Sequence, residues 1–191
     1  MVKHFFVITG FFLMLSTPFV KSQVLVEAES FQNTGGWVID QQFIEIMGSS
    51  YLLAHGMGKQ VNDAVTSVSF PSTGNYHVWV RTKDWAPFPT GPGKFKLKID
   101  DKPLEMVFGN SGDENWRWYY GNVVHIDKTE VEIALNDRTG FEGRCDAIYF
   151  TKKKNDVPPN ALNELASFRK SMLQLPDNPA VAGHYDIVVI G

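Results

Sequence analysis

Two glutamates near the start of the chain have the chemistry to bind a hard cation. Glu27 and Glu29 are separated by one residue within the segment 24–29. An extended strand places alternate side chains on one face, so both carboxylates would project on the same side. Calcium needs several oxygen ligands, which paired carboxylates supply. Asp146 would complete the set if the first and last strands are neighbours, and a solvated acidic face without a metal is the alternative.

The tryptophans form a second group of candidate binding residues. An exposed indole ring stacks on the apolar face of a sugar while nearby polar side chains bind the hydroxyl groups. Trp85 lies in a polar, proline-rich loop, which favours exposure. Trp118 shares a strand face with other aromatic residues, and Arg81 is the last residue of a predicted strand. We therefore predict Trp85, Trp118 and Arg81 as ligand-binding residues, with a place in the hydrophobic core as the alternative for each tryptophan.

The sequence contains no convincing catalytic constellation. The histidines are scattered, and the acidic residues of the later part could form a glycosidase pair, but no spacing selects one. These acidic residues are Asp137, Glu142 and Asp146. We predict that this chain contributes no catalytic residue.

The candidate residues would be positioned by many short strands. Segments of alternating polar and apolar residues recur from residue 24 to residue 151, separated by turn signals such as Pro71–Asn75. This pattern indicates a mainly β protein, with an antiparallel, jelly-roll-like β-sandwich over residues 24–151. The predicted strands include 64–70, 76–81, 94–100, 104–108, 116–120, 123–126, 131–135 and 147–150.

The pattern changes after the sandwich. Residues 152–184 are predicted as a linker containing a helix at about 160–174, with Asn160 as its N-cap after two prolines. Residues 185–191 form an apolar, β-branched run that ends in Gly191. Such a run is typical of the first strand of a dinucleotide-binding βαβ unit. We therefore predict a truncated first strand of a dinucleotide-binding fold here, with Gly191 as a cofactor-binding residue.

Composition limits the environment and the partners. Residues 1–22 have the basic start, apolar stretch and small-residue cleavage site of a secretory signal peptide, which predicts a periplasmic or secreted protein. The net charge is −3, and removal of Lys3 and Lys21 leaves 16 basic residues against 21 acidic ones, a net charge of about −5. This acidity argues against nucleic-acid binding, and no membrane partner is expected after cleavage. The single cysteine, Cys145, is predicted to be buried.

Several segments together resemble galactose-binding-like β-sandwich modules, specifically the xanthan lyase and golvesin-type carbohydrate-binding-like domain. They are Val26–Glu29, Gly35–Trp37, Phe70–Arg81 and Gly143–Ile148. With the following helix and the final apolar run, the whole order is similar to secreted bacterial FAD-dependent oxidoreductases, in which such a module precedes the flavin domain. The resemblance implies that residues 185–191 begin a FAD-binding Rossmann domain whose remainder lies beyond this sequence.

The resemblance also implies a function and a cofactor. In related sugar-binding modules the positions of Glu27, Glu29 and Asp146 contribute to a structural calcium site. The implied function is a non-catalytic, carbohydrate-binding-like accessory module at the N-terminus of an exported FAD-dependent oxidoreductase. Its partners would be a glycan and its own downstream catalytic domain. Two alternatives stay open, namely an accessory module of a polysaccharide lyase or hydrolase and a purely intramolecular interaction domain.

Overall fold

The computed structural model describes residues 22–86, 88 and 90–188, and strands dominate this part of the chain. Two helices accompany them, α1 (Ile44–Met47) and α2 (Leu162–Met172), and a 3-10 turn at Ala28–Ser30 follows the first strand. The strands are β1 (Gln23–Glu27), β2 (Trp37–Asp40), β3 (Tyr51–Ala54), β4 (Ala64–Ser69), β5 (Gly74–Thr82), β6 (Phe95–Ile99), β7 (Lys102–Pro103), β8 (Arg117–Ile126), β9 (Glu130–Asp137), β10 (Gly143–Cys145) and β11 (Ala147–Thr151).

The strands form two four-stranded antiparallel sheets and a small third sheet. Sheet one has the order β1-β11-β5-β8, and sheet two has the order β4-β9-β6-β7. The small sheet has the order β10-β3-β2. The first strand is therefore hydrogen-bonded to the last, with Val26 opposite Ile148. This pairing is the arrangement that the proposed carboxylate set required.

Alternating apolar residues place the core between the two large sheets. In β5, Tyr76, Val78 and Val80 are fully buried, while the side chains between them are less so. In β6, Phe95 and Leu97 face them from sheet two within the same hydrophobic cluster. Full burial of one such side chain contributes about 1.5–3 kcal/mol. The predicted antiparallel sandwich is confirmed.

Three of the predicted strand segments differ in the structure. The predicted segments 116–120 and 123–126 belong to one strand, β8, because Asn122 adopts a φ of 83° and the pairing with β5 continues past it. The predicted strand 104–108 is mostly irregular, with only a β-bridge between Phe108 and Phe95. Sheet two therefore ends with the two-residue strand β7.

Helix α2 lies inside the predicted range of 160–174 and packs on the sandwich. Leu165 is almost fully buried against the outer face of sheet one, together with Trp118 and Tyr149. The N-cap is Ala161, because the side chain of Asn160 instead accepts a hydrogen bond from the Trp118 backbone N–H at 3.2 Å. Helix α2 is thus anchored to the domain that precedes it.

The predicted dinucleotide-binding strand is only partly within the described residues. Residues 185–188 form no strand, and Tyr185 and Ile187 are exposed. Gly191 lies outside the described residues, as do residues 1–21 of the predicted signal peptide. No helix in the described part of the chain has the length and apolarity needed to cross a membrane.

Candidate functional site

Three carboxylates meet where β1 ends. Glu27 is the last residue of β1, Glu29 lies in the following 3-10 turn, and Asp146 immediately precedes β11. The Ala28 backbone N–H donates a hydrogen bond to the Asp146 carbonyl at 2.9 Å, which fixes the turn against β11. One ligand oxygen from each carboxylate lies within 4.8 Å of the others. The structure thus brings the three predicted residues together, and they are called the acidic cluster below.

Two arginine side chains form ion pairs with the acidic cluster. Arg81 Nη1 and Arg169 Nη2 each donate a hydrogen bond to Asp146 Oδ2, both at 2.7 Å. Arg169 Nε also lies 3.0 Å from Glu27 Oε1, as an ion pair. The other Asp146 oxygen, Oδ1, accepts a hydrogen bond from Ser49 Oγ at 2.9 Å. Both oxygens of Asp146 are therefore occupied by protein groups.

The acidic cluster holds more negative than positive charge. Three carboxylates face the two guanidinium groups of Arg81 and Arg169. Burial raises the pKa of Glu27 to about 7, although the charge of Arg169 acts in the opposite direction. Burial also raises the pKa of Glu29 to about 7. Because the Oε2 atoms of both glutamates are buried without a hydrogen-bond partner, the cluster favours retention of a proton near neutral pH.

The contacts of Arg169 bear on the calcium ion that the resemblance implies. Calcium takes about six to eight oxygen ligands. While α2 is docked, the carboxylate oxygens of the cluster that are buried without a hydrogen-bond partner are Glu27 Oε2 and Glu29 Oε2. These two oxygens do not complete a calcium coordination sphere, so the residues do not fit the ion in this arrangement. Calcium binding stays a prediction, to be decided by metal titration.

Arg81 and Trp118 lie in the interior, which corrects their predicted role in ligand binding. Arg81 is 2% exposed and is held by Asp146. Trp118 is 6% exposed, and its ring meets that of Phe168 from α2 at a centroid distance of 6.3 Å. Its indole N–H donates to the Pro159 carbonyl at 3.0 Å. Since neither side chain offers a free face to a sugar, both have structural roles.

Trp85 is accessible, at the end of the sandwich where the loops after β3, β5 and β9 meet. It is 42% exposed. Its ring meets that of Phe141 edge to face, with a centroid distance of 5.6 Å and an interplanar angle of 78°. The neighbouring Gly140 has a φ of 69°, and a Cβ there would lie 2.3 Å from the Lys59 carbonyl carbon. Glycine is therefore required at position 140, where the loop after β9 touches the loop after β3.

Polar groups border this aromatic pair. The His55 ring lies beside Phe141, and its Nδ1 atom is 3.2 Å from Glu142 Oε1. The other oxygen of Glu142 forms an ion pair with Arg144. An apolar platform with a few convergent polar groups is the composition of a carbohydrate or small-molecule site. We call this set, Trp85, Phe141, His55 and Glu142, the loop-end surface.

A second cluster of aromatic residues packs next to the loop that carries Trp85. Tyr51 and Trp116 have a ring-centroid distance of 4.9 Å, and Phe43 packs against both. Lys83 Nζ lies 4.4 Å from the centre of the Phe43 ring. Burial, followed by the positive charge of Arg144, lowers the pKa of Lys83. This cluster connects the loop that carries Trp85 to the small sheet.

A solvent-open cavity of about 580 Å³ borders the acidic cluster on the side of α2. Glu27 and Glu29 form part of its wall, and Leu173 and Pro176 lie opposite. It is separate from the loop-end surface, which is flatter and more aromatic. The cavity gives dissolved ions a path to the two glutamates.

Sequence reasoning missed Phe141 and Arg169. Phe141 lies in a short polar loop, and no local pattern links it to Trp85, which is far away in the chain. Arg169 gave a weak signal, because it interrupts the apolar stripe of a helix that includes Leu165 one turn earlier. A charged residue on the buried face of a helix requires a buried partner. The sequence alone did not say that this partner is Asp146.

The fold matches solved carbohydrate-binding modules. A family 35 carbohydrate-binding module from Clostridium thermocellum aligns with a TM-score of 0.55 at 17% identity, covering 68% of this chain and 97% of the module. A family 35 module from Paenibacillus barcinonensis aligns with a TM-score of 0.54 at 14% identity, covering 68% of this chain and 99% of the module.

The same fold occurs inside a larger enzyme. A Podospora anserina β-(1,4)-mannanase that joins a family 26 glycoside hydrolase to a family 35 module aligns with a TM-score of 0.55 at 17% identity. The match covers 72% of this chain but only 29% of the mannanase. No protein-family model matches this sequence, and no curated protein matches it either. At these identities the comparisons establish a β-sandwich of the carbohydrate-binding-module type.

Proposed function

We propose that this chain is a non-catalytic glycan-binding module and that the loop-end surface is its binding site. The observation that carries the proposal is the exposure of Trp85 beside Phe141 on a sandwich of this type. An indole face binds the apolar side of a pyranose ring, because the axial C–H groups contact the π system. His55 and Glu142 are placed to hydrogen-bond ring hydroxyls.

The proposal concerns binding without turnover. Three of the described histidines have local partners, namely Glu142 for His55, Asn75 for His125 and Tyr120 for His77. Asp146 and Glu27 of the acidic cluster are held by Arg81 and Arg169, which leaves them poorly suited to act on a substrate.

A glycan array followed by calorimetric titration of the best ligand tests the proposal. We expect saturable binding by residues 22–188, and loss of at least tenfold in affinity in a Trp85→Ala variant. Trp85→Phe, which keeps an aromatic ring, should retain part of the affinity. Tyr120→Ala serves as the matched control, because Tyr120 is 37% exposed but lies on β8, outside the loops.

Two results would contradict the assignment. If Tyr120→Ala rather than Trp85→Ala abolishes binding, the site lies on the outer face of sheet one. If the array shows no glycan ligand, a purely intramolecular interaction domain, which contacts its own catalytic half, becomes the better explanation.

The proposal extends to the parent protein. We propose that the module precedes a FAD-binding domain of an exported oxidoreductase, with a glycan and that domain as partners and with neither nucleic acid nor membrane involved. The apolar run 185–191 supports this extension. The full-length product should show a flavin absorbance spectrum, and the secreted form should begin at Gln23. A spectrum without flavin would remove the oxidoreductase.

A second candidate parent is a polysaccharide hydrolase or lyase. The mannanase match favours it, because that enzyme joins a similar sandwich to a glycoside hydrolase. Reading the coding sequence downstream of residue 191 separates the two parents. A glycine-rich βαβ fingerprint supports the oxidoreductase, and a glycosidase or lyase domain supports the alternative.

A further inference from the structure

We propose that the guanidinium group of Arg169 serves as the built-in counter-ion of the acidic cluster and replaces a metal ion there. The charge that neutralises Glu27 and Asp146 would then come from α2, a part of the same chain. This inference does not depend on glycan binding, since the acidic cluster and the loop-end surface share no residue.

The contacts of Arg169 resemble those of a bound cation. Its Nη2 atom donates to Asp146 Oδ2 at 2.7 Å, and its Nε atom lies 3.0 Å from Glu27 Oε1. The remaining nitrogen, Nη1, donates to the backbone carbonyl of Met47 at 3.0 Å. Two carboxylates and a carbonyl thus converge on one positive group. A planar guanidinium group suits acceptors that surround it on different sides, because its N–H donors point in fixed, different directions.

A second cation would compete directly with this arrangement. Asp146 Oδ2 already accepts hydrogen bonds from Arg81 and Arg169, and Oδ1 accepts one from Ser49. A divalent ion bound to Asp146 would have to displace one of these donors. It would also lie close to a guanidinium of the same sign in a buried place, where repulsion is poorly screened.

Apolar anchors explain why Arg169 reaches the acidic cluster. Leu165 is 1% exposed and lies four residues before Arg169, so both side chains lie on the same face of α2. Phe168 packs against Tyr149 with a ring-centroid distance of 5.2 Å. Helix α2 is therefore held on sheet one by apolar contacts, and this packing places the Arg169 guanidinium group in the acidic cluster.

Thermal melts in millimolar calcium and in excess chelator test the proposal on residues 22–188. We expect the melting temperature of the unaltered protein to be the same in both conditions. Arg169→Met should melt at a lower temperature in chelator, because Glu27 loses its ion pair and Asp146 keeps only that with Arg81. Calcium should then raise its melting temperature, since Glu27 and one lone pair of Asp146 Oδ2 lose their partner and the adjacent cavity admits the ion.

Lys170→Met is the matched control. Lys170 is the next residue of α2, its side chain is 44% exposed, and its ion-pair partner is the exposed Asp177. The same charge is removed without touching the acidic cluster, so we expect an unchanged melting temperature and no response to calcium. Arg169→Lys should recover part of the stability lost in Arg169→Met.

Several outcomes would overturn the proposal. A higher melting temperature of the unaltered protein in calcium would refute the proposal. An Arg169→Met variant that does not respond to calcium would refute it as well, because calcium would then not substitute for the Arg169 guanidinium. Terbium luminescence sensitised by tryptophan provides a measurement that does not depend on the folding of Arg169→Met. Saturable terbium binding to the unaltered protein that is lost in Glu29→Gln would likewise refute it, and absence of binding would support it.

Discussion

Asp84 accepts a hydrogen bond from the backbone N–H of Gly112 at 2.6 Å and thereby joins two loops at the loop end of the sandwich. Its other carboxylate oxygen accepts a hydrogen bond from Ser111 Oγ at 3.1 Å. Asp84 is 2% exposed and immediately precedes Trp85. The position of the exposed indole is therefore set by a buried carboxylate that a ligand would not contact.

We expect Asp84→Ala to destabilise the protein by about 1–3 kcal/mol, because the donors on Ser111 and Gly112 lose a buried acceptor. Glycan affinity should fall as well, since the loop with Trp85 becomes less ordered. Urea unfolding and calorimetric titration measure the two effects. Asp101→Ala is the control, because the Asp101 side chain is 85% exposed. Equal stability of both variants would contradict this role of Asp84.

The docking of α2 should contribute strongly to stability. We expect Leu165→Ala to lower the free energy of unfolding by about 2–5 kcal/mol, the usual cost of removing a buried leucine. Leu162→Ala removes the same atoms from a residue that is 43% exposed, so it should cost much less. Urea denaturation of the two variants makes the comparison. Similar midpoints would mean that α2 is not anchored as described.

The thiol of Cys145 should be unreactive in the folded protein. Cys145 is fully buried, and burial raises the pKa of its thiol well above the usual value. Thiolate is the reactive form, so both access and ionisation are unfavourable. We expect no labelling by a thiol reagent under native conditions and one label per chain in denaturant. Rapid native labelling would show that the strand end at β10 opens readily.

Stability should fall as the pH rises through the slightly acidic range. Glu27 and Glu29 have pKa values of about 7 in the fold against an ordinary value of 4.5. A glutamate whose pKa is higher in the folded protein than in the unfolded chain contributes its full stabilisation when the pH is below the pKa of the unfolded chain. This contribution is lost as the pH rises through the pKa of the folded protein. If one glutamate carries the proton, the loss is on the order of 3 kcal/mol.

Urea midpoints measured between about pH 5 and 8 check this dependence. Glu29→Gln should flatten the profile, because the amide carries no ionisable proton. Glu105→Gln, at an exposed position, should leave the profile unchanged. A midpoint that rises steadily with pH in the unaltered protein would contradict the expected sign.

The sandwich was predictable because several of its strands, such as β4 and β6, alternate between buried and less buried residues. Residues 76–81 were predicted as a strand from this alternation alone, and β5 contains them with Tyr76, Val78 and Val80 inward. The prediction of a strand at 104–108 was wrong, because a short apolar stretch does not reveal whether a partner strand is available. Pairing is a property of the whole sheet, and β7 ends this edge after two residues.

The acidic cluster was predictable only in part. Glu27 and Glu29 are separated by one residue, and Asp146 followed from the expectation that the first and last strands are neighbours. Arg169 comes from another element, and its approach depends on the packing of α2, which no local pattern contains. Arg81 was predicted as a ligand-binding residue, and the structure buries it instead. Its burial follows from the presence of Asp146 on the neighbouring strand, which offers it a buried counter-charge.

The pairing of β1 with β11 has a consequence for how the chain folds. Gln23 and Asp156 are hydrogen-bonded although they lie 133 positions apart. A sheet closed by its two terminal strands has a high contact order, so loop-closure entropy slows the rate-limiting step. During synthesis, β1 stays unpaired until β11 and nearly all of the domain have emerged from the ribosome. Folding should therefore be slow and should begin only after β11 has emerged, with an exposed strand edge until then.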